Sequence, residues 1–151
     1  MAEILDSEYV KIGTWVFATP ACQLEDISGV FAVAEMRGED RVAAGVAGVA
    51  VRPRSRDALI FALPFVIYGD ADPDGDPFTD VREGLVTNVN AMRAAILPPS
   101  TSPYTRTIIH MRGSTSRTAQ CIVTAIDGPE PVGSEALRFA AVVKIPAGVW
   151  T

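Results

Sequence analysis

The sequence predicts a mainly β (α+β) domain, a β-sandwich or partly closed barrel of about six to seven strands with one packed α-helix. Three observations carry this. Short runs rich in Val, Ile, Phe and Trp recur along the chain, parted by clusters of Pro, Gly, Asp and Ser. One long stretch, about residues 80–97, repeats its apolar residues at helical spacing. Strands and helices do not alternate, which disfavours a doubly wound parallel sheet.

Taken in order, residues 8–18 (EYVKIGTWVFA) begin with polar–apolar alternation and become continuously apolar, a strand that Thr19-Pro20 ends. Residues 27–36 (ISGVFAVAEM) read as a second strand, followed by a turn at Arg37-Gly38-Glu39-Asp40. In 41–51 (RVAAGVAGVAV), Gly45 and Gly48 lower helix propensity by about 1 kcal/mol each relative to Ala, so a Gly-kinked strand or extended arm is expected.

Residues 57–69 are the central strand. The odd positions Leu59, Phe61, Leu63, Phe65 and Ile67 make an unbroken apolar face, and the even positions are apolar as well. A strand with one wet face alternates. This pattern therefore predicts cover on both faces, with another subunit as a candidate for one of them. Pro64 cannot donate to a ladder and places the strand at an edge or bulge there.

For the helix, Asp80 and Glu83 fit a capping pattern, Val81, Leu85, Val89, Met92 and Ile96 form one face, and Pro98-Pro99 stops it. Thr87, Asn88 and Asn90 are assigned to the opposite, polar face. Residues 105–112 and 117–126 read as a hairpin around Gly113-Ser114-Thr115-Ser116. Asp127-Gly128-Pro129 is expected to break the chain before a last strand at 136–145.

The 151 residues suit a single domain, 1–151, with a core of its own. The net charge of −5 weighs against a nucleic-acid binder, whose affinity comes mainly from Lys and Arg on phosphates. The longest apolar run, 58–68, is shorter than the about 20 residues a bilayer span needs, and the acidic N-terminus lacks the basic start of a signal peptide. No membrane partner is expected. Cys22 and Cys121 make neither a disulfide framework nor a zinc site and are expected to be buried free thiols.

Asp70, Asp72, Asp74, Gly75 and Asp76 match the first half of a calcium-binding EF-hand loop. The twelfth position, which needs a bidentate Glu, is Val81, so the stretch reads as a strand-to-helix turn and no metal or cofactor is assigned. His110 is the single histidine, and no nucleophile-elbow, Walker or dinucleotide-binding pattern accompanies it. No catalytic residue is nominated and no enzyme is expected. Trp15 and Trp150 are read as core or interface anchors. Arg52, Arg54 and Arg56 alternate around Pro53 and make either a solvated loop or a subunit contact. With the odd face of the central strand, they are the candidate interface.

The chain also resembles the small tail proteins of long-tailed (siphovirus) phages of actinobacteria, in particular distal-tail and hub proteins of the tail-tube fold. The resemblance is carried by Arg37-Gly38-Glu39-Asp40-Arg41, the Arg-rich stretch 52–57 and Leu63-Pro64-Phe65-Val66-Ile67-Tyr68-Gly69-Asp70. It continues through Arg82-Glu83-Gly84-Leu85, Asn88 and Leu97-Pro98-Pro99 to Ile145-Pro146-Ala147-Gly148-Val149-Trp150. It covers roughly residues 36–150 and leaves 1–35 unmatched. It implies a virion protein, assembled in the host cytoplasm, that closes into a ring, often sixfold, beside tube, tape-measure or hub proteins. DNA would pass only in transit, and a weakly repulsive acidic wall suits that passage. The family's usual second, carbohydrate-binding-like domain has no room within these residues, which leaves the station in the tail open. The competing expectation is a calcium-stabilised β-sandwich that recognises a host surface glycan through Tyr68 and Phe78.

Overall fold

The computed structural model describes residues 2–34, 36–37, 41–42, 49–50 and 55–151, with side chains described for 2–34 and 56–151. Its strands are β1 (Glu8–Ile12), β2 (Trp15–Val16), β3 (Ala18–Thr19), β4 (Cys22–Leu24), β5 (Met36–Arg37), β6 (Arg41–Val42), β7 (Val49–Ala50), β8 (Ser55–Arg56), β9 (Leu59–Tyr68), β10 (Arg106–Arg112), β11 (Thr115–Val132) and β12 (Ala136–Ile145). A 3-10 helix spans Ser28–Phe31, and the α-helix α1 spans Val81–Ile96.

Among the described residues, eight strands form one antiparallel sheet in the order β2-β1-β10-β11-β12-β9-β4-β3. Its two ends, β2 and β3, are halves of one extended stretch parted only by Phe17, so the sheet curls round until it nearly closes as a barrel. Phe17 itself donates its N–H to the Val10 carbonyl at 2.9 Å. The long strand β11 joins the two halves of the sheet: it pairs with β10 up to Cys121 and with β12 from Ile122 onward. Register shifts between Val123 and Ala125 and between Asp127 and Glu130 let it bend. The sandwich-or-barrel expectation with one helix thus holds.

Several local expectations are corrected. Residues 8–18 are not one strand, because Gly13 turns the chain with φ of 60° and separates β1 from β2. Residues 27–36 do not form a strand at their start. Asp26 accepts from the Ser28 N–H at 2.8 Å and from its hydroxyl at 2.9 Å, and this local competition winds Ser28–Phe31 into a 3-10 turn. Asp127-Gly128-Pro129 does not end a strand, since β11 takes up the irregularity as its second register shift and continues to Val132. Outside the main sheet, β5 pairs with β8, Met36 opposite Arg56, and β6 pairs with β7, Val42 opposite Val49. Gly38–Asp40 of the expected turn, and Gly45 and Gly48, lie outside the described residues.

Inside the barrel, β9 contributes Leu59, Phe61, Leu63, Phe65 and Ile67, and β12 contributes Phe139, Ala141, Val143 and Ile145. Phe65 is the hinge of an aromatic group, edge-on to Phe17 at 5.1 Å and stacked on Phe139 at 5.7 Å. Pro64 accepts from the Glu25 N–H at 2.9 Å, so its own nitrogen faces the same edge, just past the end of β4. No bond to β12 is lost there, and the edge expectation holds for that point of the strand.

The helix starts where the capping pattern places it: the Asp80 side chain accepts from the Arg82 N–H at 2.9 Å. At its other end Arg106 donates to the carbonyls of Leu97 and Ala94, at 3.0 and 3.1 Å. Its buried stripe is Gly84, Asn88, Met92 and Ile96, with Leu85 and Val89 half-buried beside it. Asn88, expected on the polar face, is instead part of this buried stripe. Its amide nitrogen donates to the carbonyls of Tyr68 (2.7 Å) and Ala71 (2.9 Å), tying α1 to the end of β9. A polar residue is tolerated there because the two acceptors replace the water it loses.

Candidate functional site

The acidic loop between β9 and α1 is closed by its own backbone. Asp72 Oδ1 accepts from the N–H groups of Asp74 and Asp76, both at 2.9 Å, and the Asp72 N–H donates to the Asp76 carbonyl at 2.9 Å. One carboxylate oxygen is therefore engaged in holding the turn. Among the described residues no three His, Cys, Asp or Glu side chains gather as metal ligands. Tyr68 and Phe78, the aromatics of the glycan expectation, are half-buried, and the Phe78 ring packs toward Gly84.

His110 sits in a side-chain network built by strand pairing. It is opposite Val10 on β1 and Arg117 on β11. Arg117 donates from Nε to His110 Nδ1 at 3.1 Å, which leaves Nε2 as the protonated nitrogen of the neutral ring, facing Glu8 Oε1 at 3.0 Å. Glu8 also accepts from Arg112 at 2.6 Å. The hydrogen bond from His110, and then Arg112, hold the Glu8 carboxyl below the usual carboxylate value against the opposing effect of burial. Both imidazole nitrogens are committed, so the ring works as a structural link.

Arg117 is the centre of this cluster, and the sequence reading overlooked it. Its guanidinium lies over the rings of Trp150 (4.6 Å) and Phe31 (5.2 Å) and donates to the Val30 carbonyl. Desolvation pushes its pKa down. Thr151 pairs with Thr118 through N–H···O bonds of 2.8 and 2.9 Å, which brings Trp150 alongside β11. No periodicity links residues 31, 117 and 150, so only the tertiary fold makes them neighbours.

Beside this stack is a surface hollow of about 410 Å³ lined by Phe31, Val33, Leu59, Val149, Trp150 and Arg56. A second hollow, of about 470 Å³, adjoins it through Val33 and Leu59 and extends to Ile60 and Lys144. Phe31, Val33 and Ile60 are 58%, 89% and 60% exposed, an open apolar surface at the Leu59 end of β9.

The candidate interface residues divide between core and surface. Leu59, Phe61, Leu63, Phe65 and Ile67 fill the protomer's own core, at most 6% exposed, and leave no surface for a neighbour. The even face of β9 is the open one, at Ile60 and Ala62, whereas Val66 is covered. Arg56 is exposed at the end of β8, and Arg52 and Arg54 lie outside the described residues. Cys22 and Cys121 are free and buried.

Fold and surface together define an antiparallel β-barrel scaffold with its open apolar features on the outside. Its fold is similar to that of phage hub and baseplate chains. It is similar to the Dit protein (gp 19.1) of phage SPP1, described as a paradigm of the hub adsorption apparatus in phages that infect Gram-positive bacteria: TM-score 0.54, 12% identity, covering 95% of this chain and 51% of that one. It is also similar to chains of the phage P2 baseplate in its activated conformation, with Ca (TM-score 0.61, 12% identity) and with Sr (0.58, 10%), covering 95% of this chain and 45% of each. The chain thus spans about half the length of these hub and baseplate chains. The shared fold includes residues before 36, since β1 to β4 belong to the main sheet. No known family pattern matches the chain. No curated protein matches it in sequence.

Proposed function

We propose that this protein is a structural subunit of the tail of a long-tailed phage of actinobacteria, a distal-tail or hub component that assembles into a ring, sixfold, around the DNA-conducting lumen. The observation that carries this is the hub-like fold along 95% of the chain at TM-scores of 0.54 to 0.61. The protein acts as a scaffold and not as an enzyme, and His110 links β1, β10 and β11. Its partners are further copies of itself and neighbouring tube, tape-measure or hub proteins in the virion, after assembly in the host cytoplasm. The neighbour contact moves from the odd face of β9, which the core occupies, to the open even face at Ile60 and Ala62 together with Arg56. The net charge of −5 favours a wall along which DNA slides without adhering.

Light scattering coupled to size exclusion, with negative-stain microscopy, tests this. Rings or short tubes of uniform subunit number are expected. A strict monomer at every concentration up to the solubility limit would overturn it.

A further inference from the structure

Six of the nine exposed large apolar side chains among the described residues fall in two patches: Ile4 and Leu5 in one, and Phe31, Val33, Ile60 and Val149 in the other. The patches carry opposite charge. Ile4 and Leu5 stand between the exposed acids Glu3 and Asp6. The hollow around Val33 is lined by Arg56 and Lys144 together with one acid, the half-buried Asp57, and has Arg117 against its wall, so its cations outnumber its acid. Among the described residues, none of Glu3, Asp6, Arg56 and Lys144 has an ion-pair partner. Arg117 meets aromatic rings, an imidazole and a carbonyl, and no carboxylate.

The patches also lie toward opposite ends of the barrel. Residues 3–5 are pinned near the Tyr68 end of β9 by the Glu3 N–H on the Pro73 carbonyl and the Leu5 N–H on the Ala18 carbonyl, both at 2.9 Å. The hollow opens at the Leu59 end of the same strand.

We propose that copies of this protein join head to tail, with residues 3–6 of one copy seated in the hollow between Phe31, Val33, Ile60 and Val149 of the next. The apolar pair Ile4 and Leu5 fills the hollow while Glu3 and Asp6 meet Arg56 and Lys144 on its rim. The inserted segment is already held in place on its own copy by two backbone hydrogen bonds, so docking does not have to order it. A contact between two different surfaces of one chain generates a closed ring or a stack, according to the rotation it imposes. This inference rests on the tail-assembly reading above and adds the surfaces that make the contact.

The test mixes two single variants, Leu5→Cys and Val33→Cys, under mild oxidation; the native thiols are buried and contribute little. A disulfide-linked dimer is expected in the mixture and not in either variant alone. Lys144→Glu should raise the concentration for half-assembly about tenfold, and a partner carrying Glu3→Lys and Asp6→Lys should recover most of it. Glu3, Leu5, Asp6 and Val33 are exposed and Lys144 is half-buried, and circular dichroism verifies that the variants fold. If light scattering shows assemblies while the mixed variants stay unlinked, or if Val33→Cys links to itself as readily as to Leu5→Cys, the head-to-tail contact is wrong and the tail-assembly reading stands. If every sample remains monomeric, both fail.

Discussion

Gly84 of α1 rests on the carbonyl of Gly69 so closely that a Cβ on either residue would collide with backbone of the other segment. On Gly84 it would strike the Gly69 oxygen, and on Gly69 it would strike the Val81 oxygen. The first turn of the helix and the end of β9 therefore meet through two missing side chains, with Asn88 fastening the contact one turn further on.

Gly84→Ala should destabilise the protein by about 1–3 kcal/mol, although Ala is the better helix former, because overpacking against backbone outweighs propensity. Urea denaturation followed by circular dichroism measures it. An unchanged or raised midpoint would show that the helix shifts freely on β9.

Asn88→Ala should cost about 1–3 kcal/mol, since it leaves the Tyr68 and Ala71 carbonyls without their amide donor. Asn88→Asp should be worse, because a carboxylate would face two carbonyl oxygens. If the aspartate variant matched the wild type in thermal melting, those hydrogen bonds would not be holding the helix.

The sequence made the barrel, the helix and its cap legible, because the Val-, Ile- and Phe-rich runs of the strands, apolar recurrence in α1 and Asp80 before Val81 are local signals. It misplaced Asn88, because the choice between a wet and a buried amide depends on the carbonyls that await it. It read β9 as covered on both faces because Ile60 and Ala62 are apolar, yet composition alone cannot say whether a neighbour covers them. The Phe31–Arg117–Trp150 stack was invisible for a related reason, since its members come from three distant parts of the chain.

The two faces of β9 should respond differently to a charge. Phe65→Asp places an unpaired carboxylate in the aromatic core and should prevent folding, at a cost of several kcal/mol. Ile60→Asp should leave the far-ultraviolet spectrum and melting temperature nearly unchanged while weakening assembly. A soluble, folded Phe65→Asp protein would contradict the inward placement of the odd face.

Glu8 links stability to pH. Its carboxyl titrates below the ordinary value of 4.5 in the folded state, so its contribution is complete above that value and is lost as pH falls through the folded one. Glu8→Gln should therefore lower stability at neutral pH and make the decline below pH 4.5 shallower. Parallel acid-unfolding curves for the two proteins would remove Glu8 from the account.

Burial pushes both thiols up to about 12. At pH 8 neither Cys22 nor Cys121 should react with a disulfide reagent until the chain unfolds, and both should react in denaturant. Rapid labelling of the native protein would mean that the barrel opens locally around them.

The seam of the barrel has a consequence for how the chain acquires its shape. Glu8 on β1 is opposite Arg112 on β10, a separation of 104 residues, so on the ribosome β1 waits for a strand made much later. Such long-range closure is slow and leaves edges open meanwhile. Nascent chains halted before residue 112 should remain open to proteases, whereas released chains that extend through residue 151 should resist them. A barrel built this way offers finished surfaces only after residue 112 has been made, which keeps its open edges from serving as lasting contacts.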